Sequence, residues 1–198
     1  MGKNKKRRNI YFTSDLHFSH TNVIDFCERP FKTIEEMDEH IIKKWNKRVK
    51  DCDIVYVLGD VQWFIKKTDI LPRLKGTKIL IRGNHDRKAS FMVKRGFDFA
   101  VEEAVIMIAG QRVRLSHYPY RYTRFQEFLV FLKNPFSFFR RRKGRFLDRR
   151  PKNEGGWLLH GHTHSKEKIV NKMIHIGWDA WNDLVPIQKL EAIISKEK

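Results

Sequence analysis

The chain has 198 residues, 41% hydrophobic and 13% aromatic, which is enough for one ordinary domain with a buried core and rules out wholesale disorder. Lys and Arg total 41 against 23 Asp and Glu, and the resulting net charge of +18 attracts polyanions. Cys27 and Cys52 form no paired motif, which excludes a disulfide framework or a zinc finger, and no apolar run is long enough to span a bilayer.

The basic segment 1–8 reads as a flexible tail, and residues 9–198 as a single domain. A short strand-like run follows that tail instead of a signal-peptide core, so the expected setting is reducing and cytoplasmic. Asn9 to Ser14 reads as a buried strand. Thr33 with Glu36 forms a capping box, and Ile34, Met37, Ile41, Trp45 and Val49 recur at helical spacing after it. Ile54 to Leu58 is a strand buried on both faces. Thr68 to Leu74 reads as a short helix ended near Gly76, and Ile79 to Ile81 as the next strand. Val101 to Ile108 and Val113 to Leu115 form a hairpin around Gly110-Gln111. Trp157 to Leu159 is another strand, and Ile169 to Ile176 a second hairpin around Asn171-Lys172. Ile187 to Ser195 reads equally as helix or strand. Helices alternating with buried strands, then hairpins, make a mixed α/β layered domain.

Five of these strands end in polar tips: Asp15-Leu16-His17, Gly59-Asp60, Gly83-Asn84-His85-Asp86, His117, and His160-Gly161-His162-Thr163-His164. Ligand sites in open α/β sheets lie beyond the carboxyl ends of the strands, so neighbouring strands would bring these tips together. Clustered imidazoles and carboxylates are costly to bury without a cation. Asp15, His17, Asp60, Asn84, His117, His162 and His164 include no thiolate, which suits Mn²⁺, with Fe²⁺ or Zn²⁺ as alternatives. Seven donors exceed what one open site can use, whereas two divalent ions sharing a carboxylate can use them all.

In order and spacing, these blocks resemble the calcineurin-like metallophosphoesterase superfamily, in particular its small stand-alone bacterial and phage members. The resemblance implies a four-layer α/β sandwich of two mixed sheets flanked by helices. It also implies one metal on Asp15, His17, Asp60 and His164 and another on Asp60, Asn84, His117 and His162, with Asp60 bridging. His85 would stabilise or protonate the leaving oxygen, and Asp86 would orient His85. The reaction implied is attack of a metal-bridging hydroxide on a phosphate ester. Where many members continue Gly-Asp-x-x-Asp-Arg, this chain runs Gly59-Asp60-Val61-Gln62-Trp63-Phe64, and Asp86 stands where the protein phosphatases carry Glu. A protein-phosphatase activity is therefore disfavoured. Trp63 and Phe64 offer an aromatic wall beside the metals or plain core packing. His20 is placed near the phosphate or behind the ligands, Asn22 and Arg29 near the phosphate, His160 pointing away, His40 on the surface, and His175 in the structure.

Residues 118–155 form a basic aromatic insert. Phe125, Phe128, Leu129 and Leu132 fall at helical spacing and are followed by Pro135, Phe136, Phe138 and Phe139. Arg140, Arg141, Arg142 and Lys143 come next. The insert reads first as a lid guiding nucleic acid by stacking and phosphate pairing, next as a dimer contact or core, and last as a membrane contact. The favoured reading is a phosphodiesterase acting on nucleic acid or a nucleotide. The alternatives are a hydrolase of lipid-linked pyrophosphates or diesters, whose relatives typically carry Arg where this chain has His85, and a non-catalytic binding module. Oligomeric state is open.

Overall fold

The computed structural model of the chain describes residues 8–63, 70–121 and 146–196. Tail residues 1–7, Phe64 and the insert from 122 to 145, including Arg140 to Lys143, lie outside the described residues. The described strands are β1 (Ile10–Thr13), β2 (Ile54–Val57), β3 (Thr77–Ile81), β4 (Phe99–Val101), β5 (Glu103–Ile108), β6 (Gln111–Ser116), β7 (Trp157–His160), β8 (Ile169–Val170), β9 (Met173–His175) and β10 (Val185–Pro186). The described helices are α1 (Asn22–Phe26), α2 (Ile34–Arg48), α3 (Ala89–Lys94), α4 (Trp178–Trp181) and α5 (Ile187–Ser195).

Two mixed five-stranded sheets result, ordered β10-β1-β2-β3-β4 and β5-β6-β7-β9-β8. In the first, β1 to β4 run parallel and β10 antiparallel; in the second, β6, β7 and β9 run parallel between antiparallel edges. This is the expected α/β sandwich. Alternation along β1 assigns its two faces. Tyr11 joins a core with Val55, Leu80 and the α2 residues Met37, Ile41 and Trp45. Phe12 joins a second core with Leu58, Ile81, Leu115, Leu159 and Ile174 from both sheets. Burying each such side chain contributes about 1.5–3 kcal/mol.

The start of α2 follows its sequence. The Glu36 N–H donates to Thr33 Oγ1 at 3.2 Å, and Glu36 Oε2 accepts from the Lys32 N–H at 3.0 Å. Elsewhere the expectations shift. The Val101 to Ile108 run divides, with Val101 closing β4 in one sheet and Glu103 opening β5 in the other. Its turn is Ala109-Gly110, since Ile108 pairs with Gln111 and both turn residues are left-handed, as a two-residue hairpin requires. Only a single 3₁₀ turn, Leu71–Arg73, stands within the expected 68–74 helix; residues 68 and 69 lie outside the described residues. Ile187–Ser195 is a helix, with Leu190 and Ile194 in the second core.

Candidate metal centre

The loops after β1, β2, β3, β6 and β7 meet at the carboxyl edge of both sheets. Backbone bonds hold them: the Asp15 N–H donates to Gly59 O at 3.0 Å, His17 to Asp60 O at 3.1 Å, and Gly161 to His117 O at 3.0 Å. The His162 N–H donates to the Asp15 carboxylate at 3.1 Å, tying one sheet's loop to the other's.

Five of the seven expected ligands adopt left-handed backbone: Asp15 (φ 55°), His17 (53°), Asp60 (54°), His162 (70°) and His164 (50°). Each such conformation costs on the order of 1–3 kcal/mol and persists where surrounding bonds enforce it. Here the sharp turns aim neighbouring side chains at one volume. Close approach explains two glycines. A Cβ on Gly161 would collide with the Asp15 carboxylate and Ser14 Oγ, and one on Gly83 with the Asp60 carboxylate.

The donors fall into two groups. Atoms of Asp15, His17 and His164 lie within 4.8 Å of one another, as do those of Asp60, His117 and His162. Asp60 stands between them. Its Oδ1 accepts from the His85 N–H at 3.0 Å. Its Oδ2 faces His117 Nε2 at 3.5 Å, His85 Nε2 at 3.7 Å and His17 Nε2 at 3.8 Å. Asn84 Oδ1 and His162 Nδ1 stand 3.1 and 3.2 Å from His117 Nε2. Among the described residues, the buried Nε2 of His17 has no hydrogen-bond partner. An orphaned imidazole nitrogen aimed at carboxylate oxygens fits a cation between them.

The opposite edges of the imidazoles are held. His117 Nδ1 lies 2.8 Å from Leu58 O, so its Nδ1–H donates there and Nε2 carries the lone pair. His164 Nδ1–H donates to Asp179 Oδ2 at 2.7 Å, and His20 Nδ1 sits 3.2 Å from His17 Nδ1. Such outer contacts orient metal-binding histidines. Ser14 Oγ–H donates to Asp15 Oδ2 at 2.5 Å.

Burial depresses His17 well below the imidazole range and, with neighbouring imidazoles, brings His162 to about 3 and His85 to about 4. Neutral rings offer lone pairs to a cation. Burial alone would raise Asp15, but His117, His164 and His17 hold it below the usual carboxylate range. Burial, with Asp15 and Asp86 adding to it, raises Asp60. Burial alone would lower His164; its hydrogen bonds to Asp179 and Cys27, with Asp15 nearby, lift it to about 10.

Other residues differ from their expected places. The Asp86 carboxylate is engaged by backbone and not by the His85 ring it was expected to orient. It accepts from the N–H groups of Gly83, Asp60 and Val61 at 2.8, 3.0 and 3.1 Å, clasping two ligand loops together. Arg29, expected near the phosphate, is buried, with its guanidinium donating to Asp179, Leu16 O and Asp15 O. Asn22 is exposed at the start of α1. His40 is half-buried against Phe31 instead of on the surface. His160 and His175 are buried side by side in β7 and β9, with ring centroids 5.3 Å apart. Trp63 lies beside the site, stacked on His20, and not in the core. The sequence reading missed Asp179. The signal was a sixth polar tip, Gly177-Trp178-Asp179, just past β9.

Two facing mixed sheets thus bring paired imidazole–carboxylate groups to their shared carboxyl edge, an arrangement that can hold divalent cations. The sequence model of calcineurin-like phosphoesterases matches residues 8–194. An uncharacterized protein of Methanocaldococcus jannaschii is 35% identical over 162 residues, covering 80% of this chain and 70% of that protein. The gene 66 protein of Mycobacterium phage D29 is 30% identical over 210 residues, 94% of this chain and 96% of its own. A solved Aquifex aeolicus protein of unknown function superposes with a TM-score of 0.65 at 25% identity, covering 94% of this chain and all of that one. This chain belongs to the calcineurin-like phosphoesterase family, and its activity is metal-dependent hydrolysis of phosphate esters. Among the described residues, no helix is long and apolar enough to cross a membrane.

Proposed function

We propose that this chain is a phosphodiesterase whose substrate is a nucleic acid or nucleotide and whose two metal ions are manganese. Asp15, His17, Asp60 and His164 would hold one ion, and Asp60, Asn84, His117 and His162 the other. The carrying observation is Asp60, one oxygen of which faces imidazoles from both groups while the other is anchored by the His85 N–H. When bound, the ion pair supplies positive charge against the phosphoryl oxygens and a water acidic enough to attack phosphorus near neutral pH.

The chain's own groups do the rest. Ser14 and the His162 N–H fix the Asp15 carboxylate, and Asp86 fixes the loop that carries Asp60. The His85 side chain is 32% exposed, so a substrate can reach it. At about 4 its ring is neutral at pH 7, and it offers an N–H to the departing oxygen. The net charge of +18 and the Arg140 to Lys143 run support a polyanionic substrate. The missing acid and arginine after Asp60 support a diester over a protein phosphomonoester.

Bis-p-nitrophenyl phosphate should be hydrolysed with Mn²⁺, faster than p-nitrophenyl phosphate, and EDTA should abolish the rate. Folded protein inert with every divalent cation overturns the hydrolase assignment; a preference for the monoester overturns the diester.

A further inference from the structure

Trp63 is 41% exposed, although it sits beside a cluster of polar metal-site groups. Its indole stacks on His20 at 4.4 Å between centroids and 8° between planes. The His85 ring is 4.5 Å away, tilted by 55°, and His20 and His85 are 6.4 Å apart. These three separations make a triangle with a near-right angle at Trp63. His20 therefore covers an indole face, and His85 meets an edge.

The backbone beneath is fixed. The Phe18 N–H donates to Val61 O at 2.9 Å and the Trp63 N–H to Phe18 O at 3.0 Å, with Phe18 itself wholly buried. An indole that stays 41% exposed on a backbone-anchored loop is a poor way to close a core and a good way to receive a flat ring, because little order is lost on stacking. Its neighbour His85 is the group assigned to the departing oxygen. Whatever stacks on Trp63 thus belongs to the half of the substrate that leaves.

We propose that Trp63 is the leaving-group subsite, stacking the nucleobase of the nucleoside that departs beside His85. This rests on the phosphodiesterase reading and names the part of the substrate that the site grips. Base–aromatic stacking is sequence-tolerant, so the subsite favours a base without selecting among bases.

The test compares thymidylyl-thymidine with the analogue made abasic at whichever nucleoside the wild-type products show to leave. Both are assayed with Mn²⁺ on wild type, Trp63→Phe and Trp63→Leu, with bis-p-nitrophenyl phosphate as the control for hydrolase activity. Trp63→Leu should raise KM for the base-bearing substrate by about 5- to 140-fold, the range of one lost base stack, and by clearly less for the abasic one. Trp63→Phe should recover most of that difference. Equal losses on both substrates, carried in kcat, would make Trp63 a positioning residue for His85 and overturn the proposal.

A second measurement is independent of turnover. Thymidylyl-thymidine titrated into EDTA-treated protein should shift one indole N–H resonance, identified by its absence in Trp63→Phe. No shift at saturation overturns the subsite. A wild type inert toward bis-p-nitrophenyl phosphate overturns the hydrolase reading instead, and the resonance result still decides whether Trp63 binds a base.

Discussion

Replacing Asp179 by Asn tests how the His164 end of the site is held. Asp179 accepts from His164 Nδ1–H at 2.7 Å, from Arg29 Nε–H at 2.8 Å and from Arg29 Nη2–H at 3.1 Å. The Arg29 and Asp179 side chains are 3% and 4% exposed. Asp179→Asn would remove the one carboxylate that, among the described residues, pairs with a buried guanidinium whose other described partners are the carbonyls of Leu16 and Asp15 and the Met37 sulfur. Removing one partner of a buried pair costs about 3–5 kcal/mol. In a chain of this size that is a Tm fall of roughly 6–20 °C. Losing the carboxylate behind a metal-binding histidine should weaken metal affinity about 10- to 100-fold.

Proton release provides the sharper reading. Against burial, its hydrogen bonds to Asp179 and Cys27 raise metal-free His164 to about 10, so at pH 8 it carries a proton that the proposed metal binding at Nε2 would displace. Its pKa is raised above the unfolded value, so the stability it contributes is full below about pH 6.5 and is lost as pH rises through about 10. Asp179→Asn should remove that release and flatten the decline in Tm between pH 7 and 10. Calorimetry of Mn²⁺ binding in buffers of different ionisation enthalpy counts the proton, and thermal melts of EDTA-treated protein follow the stability. A variant with wild-type Tm and unchanged proton release would refute the clamp.

Gly161→Ala should leave the fold intact but cut metal affinity at least tenfold, because the new Cβ displaces the Asp15 carboxylate; circular dichroism and metal titration separate the two effects. His85→Ala should retain bound metal yet lose about 10²–10⁴ in kcat on diesters with poor leaving groups, and less with p-nitrophenolate; equal losses on both would remove His85 from the leaving oxygen. Neutralising Arg140 to Lys143 should flatten the salt dependence of oligonucleotide binding, with the slope falling by about one per lost phosphate contact. Parallel slopes would assign the run to plain surface, and a preference for anionic vesicles would point to membrane.

Much of this was legible without coordinates. Thr33 and Glu36 announce the start of α2, because a capping box is satisfied within one turn of chain. Ile54 to Leu58 reads as a doubly covered strand from its unbroken apolar run. The strand-end tips name the expected ligands, since clustered imidazoles and carboxylates need a common partner. Less legible were features set by distant partners. The Val101 to Ile108 run gives no sign that it crosses between sheets, because residues in either sheet alternate alike. Ile187 to Ser195 fits helix and strand equally until Leu190 and Ile194 find the inter-sheet core. Arg29 looks like a phosphate contact until Asp179, 150 positions away, is seen beside it.

From composition and local pattern alone came the α/β class, the donor chemistry and the strongly positive charge, because charge, residue type and short-range periodicity are properties of the linear chain. Only the folded chain could decide that Asp60 stands between two imidazole groups, that Asp86 clasps loops, that Asp179 backs His164 and that Trp63 lies outside the core beside His85. Those facts depend on which strand ends become neighbours and on how far apart atoms come to rest, and those distances exist only once both sheets have packed.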